Sequence, residues 1–357
     1  MRYAIIMAGG SGKRLWPASR QSKPKQLINL VDGKSLLALA VERLVGIFDS
    51  QRILVVTNAA YVDEIRERFP QLLKENVIGE PEGRDTANAI ALGAELIAAR
   101  DGGATMAVFT ADHIIRPKDQ FTQCVESACK AAEDDPRALV TFGIRPTYPH
   151  TGLGYVHCGG EGPGGTRAVL GFKEKPDHHT ARWYVESGEH FWNSGMFVWQ
   201  VQAIRQALAK FLSESAEKLA KVGRAAQAGE DYDGLLEKLY PHLPKISIDY
   251  AVMEKAEHVL MVELTCEWLD VGSWPALDEV VQLDADGNAV VAARAAVLDS
   301  TRNIIFSTGE HLVAVVGMDD CVIVHSPDAT LVCKKSDSQR LKELVDWIGR
   351  HFGSQYV

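Results

Sequence analysis

The chain has 357 residues, a length that predicts one large domain and one smaller domain. Hydrophobic residues make up 46% and charged residues 24%, which is typical of a globular protein with a sizeable core. The formal net charge of −9 argues against nonspecific binding to nucleic acid or to an anionic membrane. The sequence offers no run near the ~20 apolar residues of a membrane span, and its six cysteines form no CxxC pair. We therefore expect a cytoplasmic protein with reduced thiols.

Short β-rich runs alternate with helical patterns through the first half of the chain. This alternation predicts a doubly wound, mostly parallel α/β sheet, and such sheets bind ligands at the carboxyl ends of their strands. The predicted strands are Tyr3–Met7, Ile53–Thr57, Met106–Thr110 and Leu139–Gly143, and the predicted helices are Leu36–Ile47, Tyr61–Phe69, Thr86–Arg100 and Phe121–Glu133.

The pattern changes after the first half. Between Tyr148 and Trp274 it is less regular, with a surface hairpin predicted at Gly159–Gly165 and a long polar helical segment near Ile204–Lys221. A boundary near residues 275–287 predicts two domains, 1–280 and 281–357, the second a small β domain that ends in a helix. Its predicted elements are the strands Ala289–Val291, Ala296–Leu298, Asn303–Phe306, His311–Val316, Cys321–Val324 and Thr330–Cys333, and the helix Ser338–Phe352.

A glycine loop, residues 8–16, follows the first predicted strand. Glycines let backbone N–H groups approach a polyphosphate closely. A P-loop would need a different glycine–lysine spacing, and a dinucleotide-binding GxGxxG would need a third glycine where Leu15 stands. Arg14 and Lys25 supply the cations that a polyphosphate leaving group requires. A tight turn with solvated Lys and Arg is the less favoured interpretation.

Residues 7–27 read Gly-x-Gly-x-Arg-Leu leading into Pro24-Lys25, and they resemble the opening of the bacterial mannose-1-phosphate guanylyltransferases, a family of sugar nucleotidyltransferases. The resemblance covers residues 3–274 and continues less distinctively into the tail. It implies a Rossmann-like nucleotidyltransferase domain with a mostly parallel mixed sheet, followed by a left-handed β-helix-like domain. It also implies that the nucleotide is bound by Ala8, Gly9, Gly10, Gly12, Lys13, Arg14, Glu80, Gly83, Arg84 and Asp85.

Two aspartates are candidates for binding a metal ion. Asp112 follows the apolar run Met106–Phe109 and so lies at the carboxyl end of a strand, while Asp270 lies between Trp268 and Trp274. Hard Mg²⁺ prefers oxygen ligands and commonly takes one or two carboxylates together with substrate phosphates. The alternatives are a helix N-cap for Asp112 and a carboxylate bonded to backbone amides for Asp270. The family resemblance pairs the two aspartates as a Mg²⁺ site.

Four further motifs match the family in chain order, and their order is more specific than any one of them. They are Thr151–Tyr155, Glu174–Pro176, Trp192–Phe197 and Ser247–Lys255. Lys175 would bind the phosphate of the sugar substrate, and Glu174 would accept hydrogen bonds from sugar hydroxyls. The implied substrate-binding residues are Gly154, Tyr155, Glu174, Lys175, Asn193 and Asp249.

The sequence departs from the family at three positions. Asp85 and Asn88 stand where relatives usually carry Asn and Pro, in a segment expected near the base and ribose, and Leu153 stands in place of Tyr. An aspartate at position 85 could accept hydrogen bonds from N1–H and N2–H₂ of guanine, which adenine cannot match. We therefore hypothesise that Asp85 recognises the guanine base through these hydrogen bonds.

The reaction implied by the resemblance joins GTP to α-D-mannose 1-phosphate, giving GDP-mannose and pyrophosphate with Mg²⁺ as cofactor. The catalytic residues would be Arg14, Lys25, Asp112, Lys175 and Asp270. Three alternatives stay open: another hexose or heptose 1-phosphate or another triphosphate, a nicotinamide dehydrogenase, and a non-catalytic sugar-nucleotide sensor. For the tail we expect a structural role, packing on the catalytic domain or on the partner in a homodimer.

Overall fold

The structure is a computed structural model that describes residues 1–10 and 12–357, so Ser11 of the glycine loop lies outside the described residues. The chain divides into two compact units. Unit 1 contains Met1–Gly9, Arg43–Thr110 and Ile115–Glu267, and unit 2 contains Gly10–Glu42, Ala111–Ile114 and Trp268–Val357. Among the described residues, no helix is both long enough and apolar enough to cross a membrane. The boundary near residue 280 stays a prediction, since unit 2 begins its last segment at Trp268 and also takes in two earlier segments.

Unit 1 is built on a mixed sheet, which in the described part of the chain has nine strands. The strands are β1 (Arg2–Met7), β4 (Ile53–Asn58), β5 (Val77–Glu80), β6 (Thr105–Thr110), β8 (Leu139–Ile144), β9 (Tyr155–Glu161), β10 (Thr166–Lys173), β11 (His190–Gln200) and β12 (Val259–Glu263). Their order is β5-β4-β1-β6-β11-β8-β12-β10-β9. Strands β5, β4, β1 and β6 are mutually parallel, and β11 and β10 run antiparallel to their neighbours. The predicted mostly parallel core and the predicted hairpin between β9 and β10 are both present.

Helices cover this sheet. They are α2 (Val62–Arg68), α3 (Asp85–Arg100), α4 (Lys118–Asp134), α5 (His178–Ser187), α6 (Val201–Phe211), α7 (Ser213–Gln227) and α8 (Asp233–Leu239), while α1 (Leu36–Leu44) joins the two units in sequence. The helical segment predicted near residues 204–221 is present as two helices, α6 and α7, separated by one residue. Leu212 between them takes the non-helical angles φ −141° and ψ 51°. The break lets both helices pack against α3.

Helix α3 is buried along most of its length and is rich in alanine. Small residues let its backbone approach strand β1 closely. At Gly93 the approach is so close that a Cβ atom would overlap the δ-methyl of Ile5. Gly93 is therefore required by packing, although glycine is a poor helix former.

Unit 2 contains the strands β2 (Asn29–Val31) and β3 (Lys34–Ser35), the short helix α9 (Leu277–Val280) and a tail of short strands. The tail consists of β14 (Ala289–Val291), β15 (Arg294–Leu298), β16 (Ile304–Ser307), β17 (Leu312–Val316), β18 (Cys321–Ser326), β19 (Ala329–Lys334) and the helix α10 (Leu341–Phe352), while β7 (His113–Arg116) pairs with β13 (Glu267–Asp270). Successive coils stack in parallel, with Ala289, Ile304 and Val322 in register. The six predicted tail strands are all present, and α10 begins three residues later than predicted.

The coils of the tail repeat at intervals of 15 and 18 residues, which explains why a strict six-residue repeat is missing from the sequence. Gly287, Arg302 and Asp320 each open a coil with a positive φ. Next to the first two of these, the buried side chains of Asn288 and Asn303 bond to each other and to backbone of the adjacent coils. The asparagines thus satisfy backbone groups that would otherwise be buried without partners.

The packing of α3 on β1 gives a test of the fold. Gly93→Ala should destabilise the protein by about 1–3 kcal/mol, because the new methyl must displace Ile5 or the helix. Gly234→Ala in α8 is the matched control, since its Cβ would meet open space and should be neutral or stabilising by up to about 1 kcal/mol. Urea unfolding of both variants measures the difference. Equal stability changes would contradict the close packing.

Candidate active site

The glycine loop and Asp112 leave the sheet at the same edge. Strands β1 and β6 are adjacent and parallel, with Met7 in register with Thr110. The two segments that follow them therefore start side by side, and both enter unit 2. There Lys25 donates a hydrogen bond from Nζ to Oδ2 of Asp112 over 2.5 Å. The structure thus brings together two of the residues predicted to be catalytic.

Gly12 shapes the loop beside this ion pair. It takes φ +59°, and a Cβ atom there would lie 2.8 Å from Cβ of Lys25. Its carbonyl oxygen accepts a hydrogen bond of 2.5 Å from Oγ of Ser19. Both the left-handed backbone and the close approach to Lys25 require glycine at this position.

Asp112, His113 and Asp270 form a group that could hold a metal ion, with potential ligand atoms all within 4.8 Å of one another. The helix-cap interpretation of Asp112 is wrong, because the residue lies in the turn between β6 and β7 and pairs with Lys25. The second aspartate is brought close by the backbone, where Val271 donates to the carbonyl oxygen of Asp112 over 3.1 Å.

Arg14 lies beside the second aspartate. A Cβ atom built on Gly272 would lie 3.3 Å from Oδ2 of Asp270 and 3.7 Å from Nη2 of Arg14. Nη1 of the same guanidinium donates to Oε1 of Gln339 over 3.5 Å. The predicted catalytic residues therefore lie in unit 2, except for Lys175, which belongs to unit 1.

His113 was not among the predicted site residues. Trp268 donates from Nε1 to Nδ1 of His113 over 3.1 Å, and the two rings meet edge to face. Nδ1 is therefore the acceptor nitrogen, and a neutral imidazole carries its proton on Nε2, which lies 3.9 Å from Oδ1 of Asp112. This assignment leaves the two carboxylates as candidate metal ligands, and oxygen ligands suit a hard divalent cation.

The charges in this group set the protonation of Asp112. Burial by itself would raise the pKa of its carboxyl group, but the positive charge of Lys25, together with His113, outweighs burial and holds the pKa well below its usual range. Asp112 is therefore a carboxylate at neutral pH. Its charge is compensated by Lys25 and would equally attract a divalent cation.

Unit 1 carries the other predicted nucleotide-binding residues. Glu80 ends strand β5 and is buried, and the phenol of Tyr240 donates a hydrogen bond to it. Burial raises the pKa of Glu80 to about 7, with a smaller upward contribution from Asp85, while the bond from Tyr240 acts in the opposite direction. Arg84 follows in the same segment and pairs with Glu82 at 2.9 Å. A Cβ atom built on Gly83, between Glu82 and Arg84, would meet open space.

The segment that departs from the family is tied to a second loop of unit 1. Asp85 opens helix α3 with φ +65°, an uncommon conformation for a residue with a side chain, and its Oδ1 accepts from the amide of Thr86. Asn88 is buried and donates from Nδ2 to the carbonyl oxygens of Arg84 and Pro244 at 3.0 and 2.7 Å. The amide of Ile248 donates to Thr86 Oγ1. The segment around Asp85, predicted to bind the nucleotide, is therefore held against the stretch that precedes Asp249.

Four of the predicted sugar-binding residues form one cluster in unit 1. Asn193 donates from Nδ2 to Oδ1 of Asp249 over 2.7 Å, and its backbone amide donates to the carbonyl oxygen of Gly154. A Cβ atom on Gly154 would overlap the carboxylate of Glu174. Burial raises the pKa of Asp249 to about 6, although the bond from Asn193 opposes the rise.

The other two predicted sugar-binding residues differ in character. Lys175 is exposed, has φ +45° and pairs with Glu174. Its charge is thus presented at the surface of the cluster. The side chain of Tyr155 is buried and donates to the carbonyl oxygen of His150, so it belongs to the core and can offer a substrate only its backbone.

Comparisons with known proteins agree with this architecture. Residues 3–287 match the model of the nucleotidyl transferase family, and residues 293–348 match that of the MannoseP isomerase/GMP-like beta-helix domain. A mannose-1-phosphate guanylyltransferase from Klebsiella pneumoniae is 38% identical over 362 aligned residues, covering 100% of this chain and 76% of the relative. The chain therefore belongs to the nucleotidyl transferase family, and within it to the mannose-1-phosphate guanylyltransferases.

Solved structures show the same relationship. A Thermus thermophilus protein described as a mannose-1-phosphate geranyltransferase matches with a TM-score of 0.86 and 33% identity, covering 97% of this chain and 99% of that one. A Helicobacter pylori protein described as a mannose-6-phosphate isomerase matches with a TM-score of 0.60 and 28% identity, over 75% of this chain. The predicted α/β domain with a C-terminal β-helix-like domain is confirmed, as is the predicted family, and the chain is an enzyme.

Burial of Glu80 predicts a pH-dependent stability. A carboxyl group whose pKa is raised favours folding while it is protonated, and this contribution is lost as the pH rises through about 7. Glu80→Gln should therefore gain about 2 kcal/mol relative to the wild type between about pH 5.5 and about pH 8. Urea unfolding at both pH values measures this gain, with the exposed Glu67→Gln on α2 as control. A gain that does not change with pH would contradict the burial of an ionisable Glu80.

Proposed function

We propose that the chain transfers the guanylyl group of GTP to α-D-mannose 1-phosphate, releasing pyrophosphate. The observation that carries this proposal is the group formed by Lys25, Asp112 and Asp270, which follows a glycine loop in a member of the mannose-1-phosphate guanylyltransferases. Cations and carboxylates in this arrangement suit phosphoryl chemistry.

The reaction needs no covalent intermediate on the enzyme. A phosphate oxygen of mannose 1-phosphate attacks the α-phosphorus of GTP in line, and the bond from that phosphorus to the β-phosphate oxygen breaks. The nucleophile is already an anion, so a strong general base is unnecessary, and catalysis consists of positioning and charge neutralisation. Lys13, Arg14 and Lys25 neutralise the triphosphate, and Lys175 binds the phosphate of the sugar.

Asp112 and Asp270 are proposed to bind Mg²⁺. Their oxygens are the ligand type that this ion prefers, and the low pKa of Asp112 keeps its carboxylate ionised for the purpose. When bound, the ion would neutralise developing charge on the phosphate oxygens. His113, oriented by Trp268, places its Nε2 3.9 Å from Oδ1 of Asp112, beside the proposed ion.

The sugar would be recognised by the cluster of Gly154, Glu174, Asn193 and Asp249 in unit 1. The pair formed by Asn193 and Asp249 offers an amide and a carboxylate to hexose hydroxyls, and Glu174 lies against Gly154 with its carboxylate. We place the residues predicted from the sequence in the same roles here: Ala8, Gly9, Gly10, Gly12, Glu80, Gly83, Arg84 and Asp85 for the nucleotide, and Gly154, Tyr155, Glu174, Lys175, Asn193 and Asp249 for the sugar phosphate.

The proposed reaction is tested by measuring pyrophosphate release with Mg²⁺ across GTP, ATP, UTP and CTP and several hexose and heptose 1-phosphates. We expect the highest kcat/KM for GTP with mannose 1-phosphate. Clear preference for another pair would overturn the proposed substrates while keeping the reaction class. Binding of a sugar nucleotide without turnover of any pair would instead indicate a sensor.

Selection of guanine is tested at Asp85. Asp85→Gly removes the side chain without backbone strain, because glycine tolerates the observed φ of +65°. The preference of kcat/KM for GTP over ATP should fall by about tenfold or more, which corresponds to the loss of one or two hydrogen bonds. Asp85→Asn keeps the left-handed backbone and one acceptor oxygen, and it is the matched control. Its preference for GTP over ATP should fall less than that of Asp85→Gly.

Comparison with ITP, which lacks the 2-amino group, separates the two contacts proposed for Asp85. Loss of the GTP preference over ITP in Asp85→Gly would locate the contact at N2. An unchanged order of GTP, ITP and ATP in both variants would show that Asp85 does not read the base.

A further inference from the structure

The last residues of the glycine loop and the segment just after it are bonded to the end of the chain. Within unit 2, the Nζ of Lys13 lies 2.6 Å from Oδ1 of Asp346 on helix α10, and Nε1 of Trp16 donates to the carbonyl oxygen of Tyr356 over 2.6 Å. The amide of Gln21 donates to the carbonyl oxygen of Val357 over 3.2 Å. The end of the chain therefore contacts the loop at Lys13 and Trp16, and the segment that follows the loop at Gln21.

Arg20 is the centre of these contacts. Its side chain is only 9% exposed, and its guanidinium bonds to four groups in three different segments. In the segment directly after the loop, Nε donates to the carbonyl oxygen of Pro17 over 3.1 Å. In the tail, the acceptors are Ser326 Oγ at 3.2 Å, Asp328 Oδ1 at 2.7 Å and the carbonyl oxygen of Gln355 at 3.4 Å.

The Lys13–Asp346 and Arg20–Asp328 ion pairs differ in how strongly they stabilise the packing of this segment on the tail. Lys13 and Asp346 are both substantially exposed, so their pair is worth little. Arg20 is a buried charge, and removing a partner from a buried charge is costly because the charge is left without compensation. The Arg20–Asp328 pair therefore contributes more than the Lys13–Asp346 pair to holding this segment on the tail.

We propose that Arg20 and Asp328 are positioning residues that hold the glycine loop in the conformation that binds the triphosphate. The β-helix-like domain then sets the affinity for GTP, although neither residue contacts the substrate. This inference rests on the proposed function. Weakening the anchor lowers the fraction of molecules with a competent loop, and the apparent affinity falls by the same factor.

The test uses Arg20→Lys and Asp328→Ala in the full chain. Lysine keeps the charge but cannot reach all the acceptors at once. In both variants KM for GTP should rise about tenfold, because the competent fraction falls, while kcat and KM for mannose 1-phosphate stay within about twofold. Asp328→Asn keeps an acceptor oxygen, so its KM for GTP should stay close to that of the wild type.

The matched control is Asp319→Ala. Asp319 pairs with Arg302 at 2.6 Å in the same domain, but both side chains are exposed. Its kinetics should equal those of the wild type. If Arg20→Lys does not fold, Asp328→Ala and Asp328→Asn supply the test, since the side chain of Asp328 is 49% exposed and that of Arg20 only 9%.

Hydrogen–deuterium exchange supplies a readout that does not depend on turnover. The peptide covering residues 8–21 should exchange faster in Asp328→Ala than in the wild type or in Asp319→Ala. An unchanged exchange rate, or a fall in kcat without a rise in KM for GTP, would overturn the inference. Absence of turnover in the wild type would refute the proposed function alone, because the exchange rates still test the anchor.

Discussion

The site depends on compensation of one ionised carboxylate. Asp112 lies at the end of a buried strand, where partial burial disfavours the ionised carboxylate and a cation beside it favours that form. Lys25 supplies that cation, and the glycine loop is shaped to let it do so, because any side chain on Gly12 would collide with Lys25. The same carboxylate, with Asp270 beside it, offers a place for a divalent ion. The glycine loop therefore leaves room for the cation beside Asp112, and the charges of the cation and the carboxylate depend on one another.

The pKa values of carboxyl groups in the two units are shifted in opposite directions. In unit 2, Asp112 is kept ionised by the charge of Lys25, whereas in unit 1 burial raises the pKa of both Glu80 and Asp249 toward neutrality. An ionised acid suits metal binding, and a buried acid that is bonded to Tyr240 or Asn193 suits the reading of neutral hydroxyl and amide groups on a substrate. The environment of each carboxylate matches the role proposed for it.

Much of this could be predicted from the sequence, because local patterns determine it. Strands β1, β4, β6 and β8, the glycine loop and the two aspartates follow from hydrophobic runs and from residues placed at strand ends, whereas the short edge strand β5 was not predicted. The contacts between distant residues could not be predicted. Tyr240 is 160 positions from Glu80, and Arg20 is 308 positions from Asp328, so no spacing reveals either pair. The break at Leu212 could not be predicted either, because leucine is a good helix former.

The central claim is that a phosphate oxygen of the sugar phosphate attacks the α-phosphorus of GTP. Mannose 1-phosphate labelled with ¹⁸O in its non-bridging phosphate oxygens tests this claim directly, with mass spectrometry of both products. The account predicts that all of the label remains in GDP-mannose and that the pyrophosphate carries none. Label in the released pyrophosphate, or in free phosphate formed as the sugar is transferred, would contradict nucleotidyl transfer.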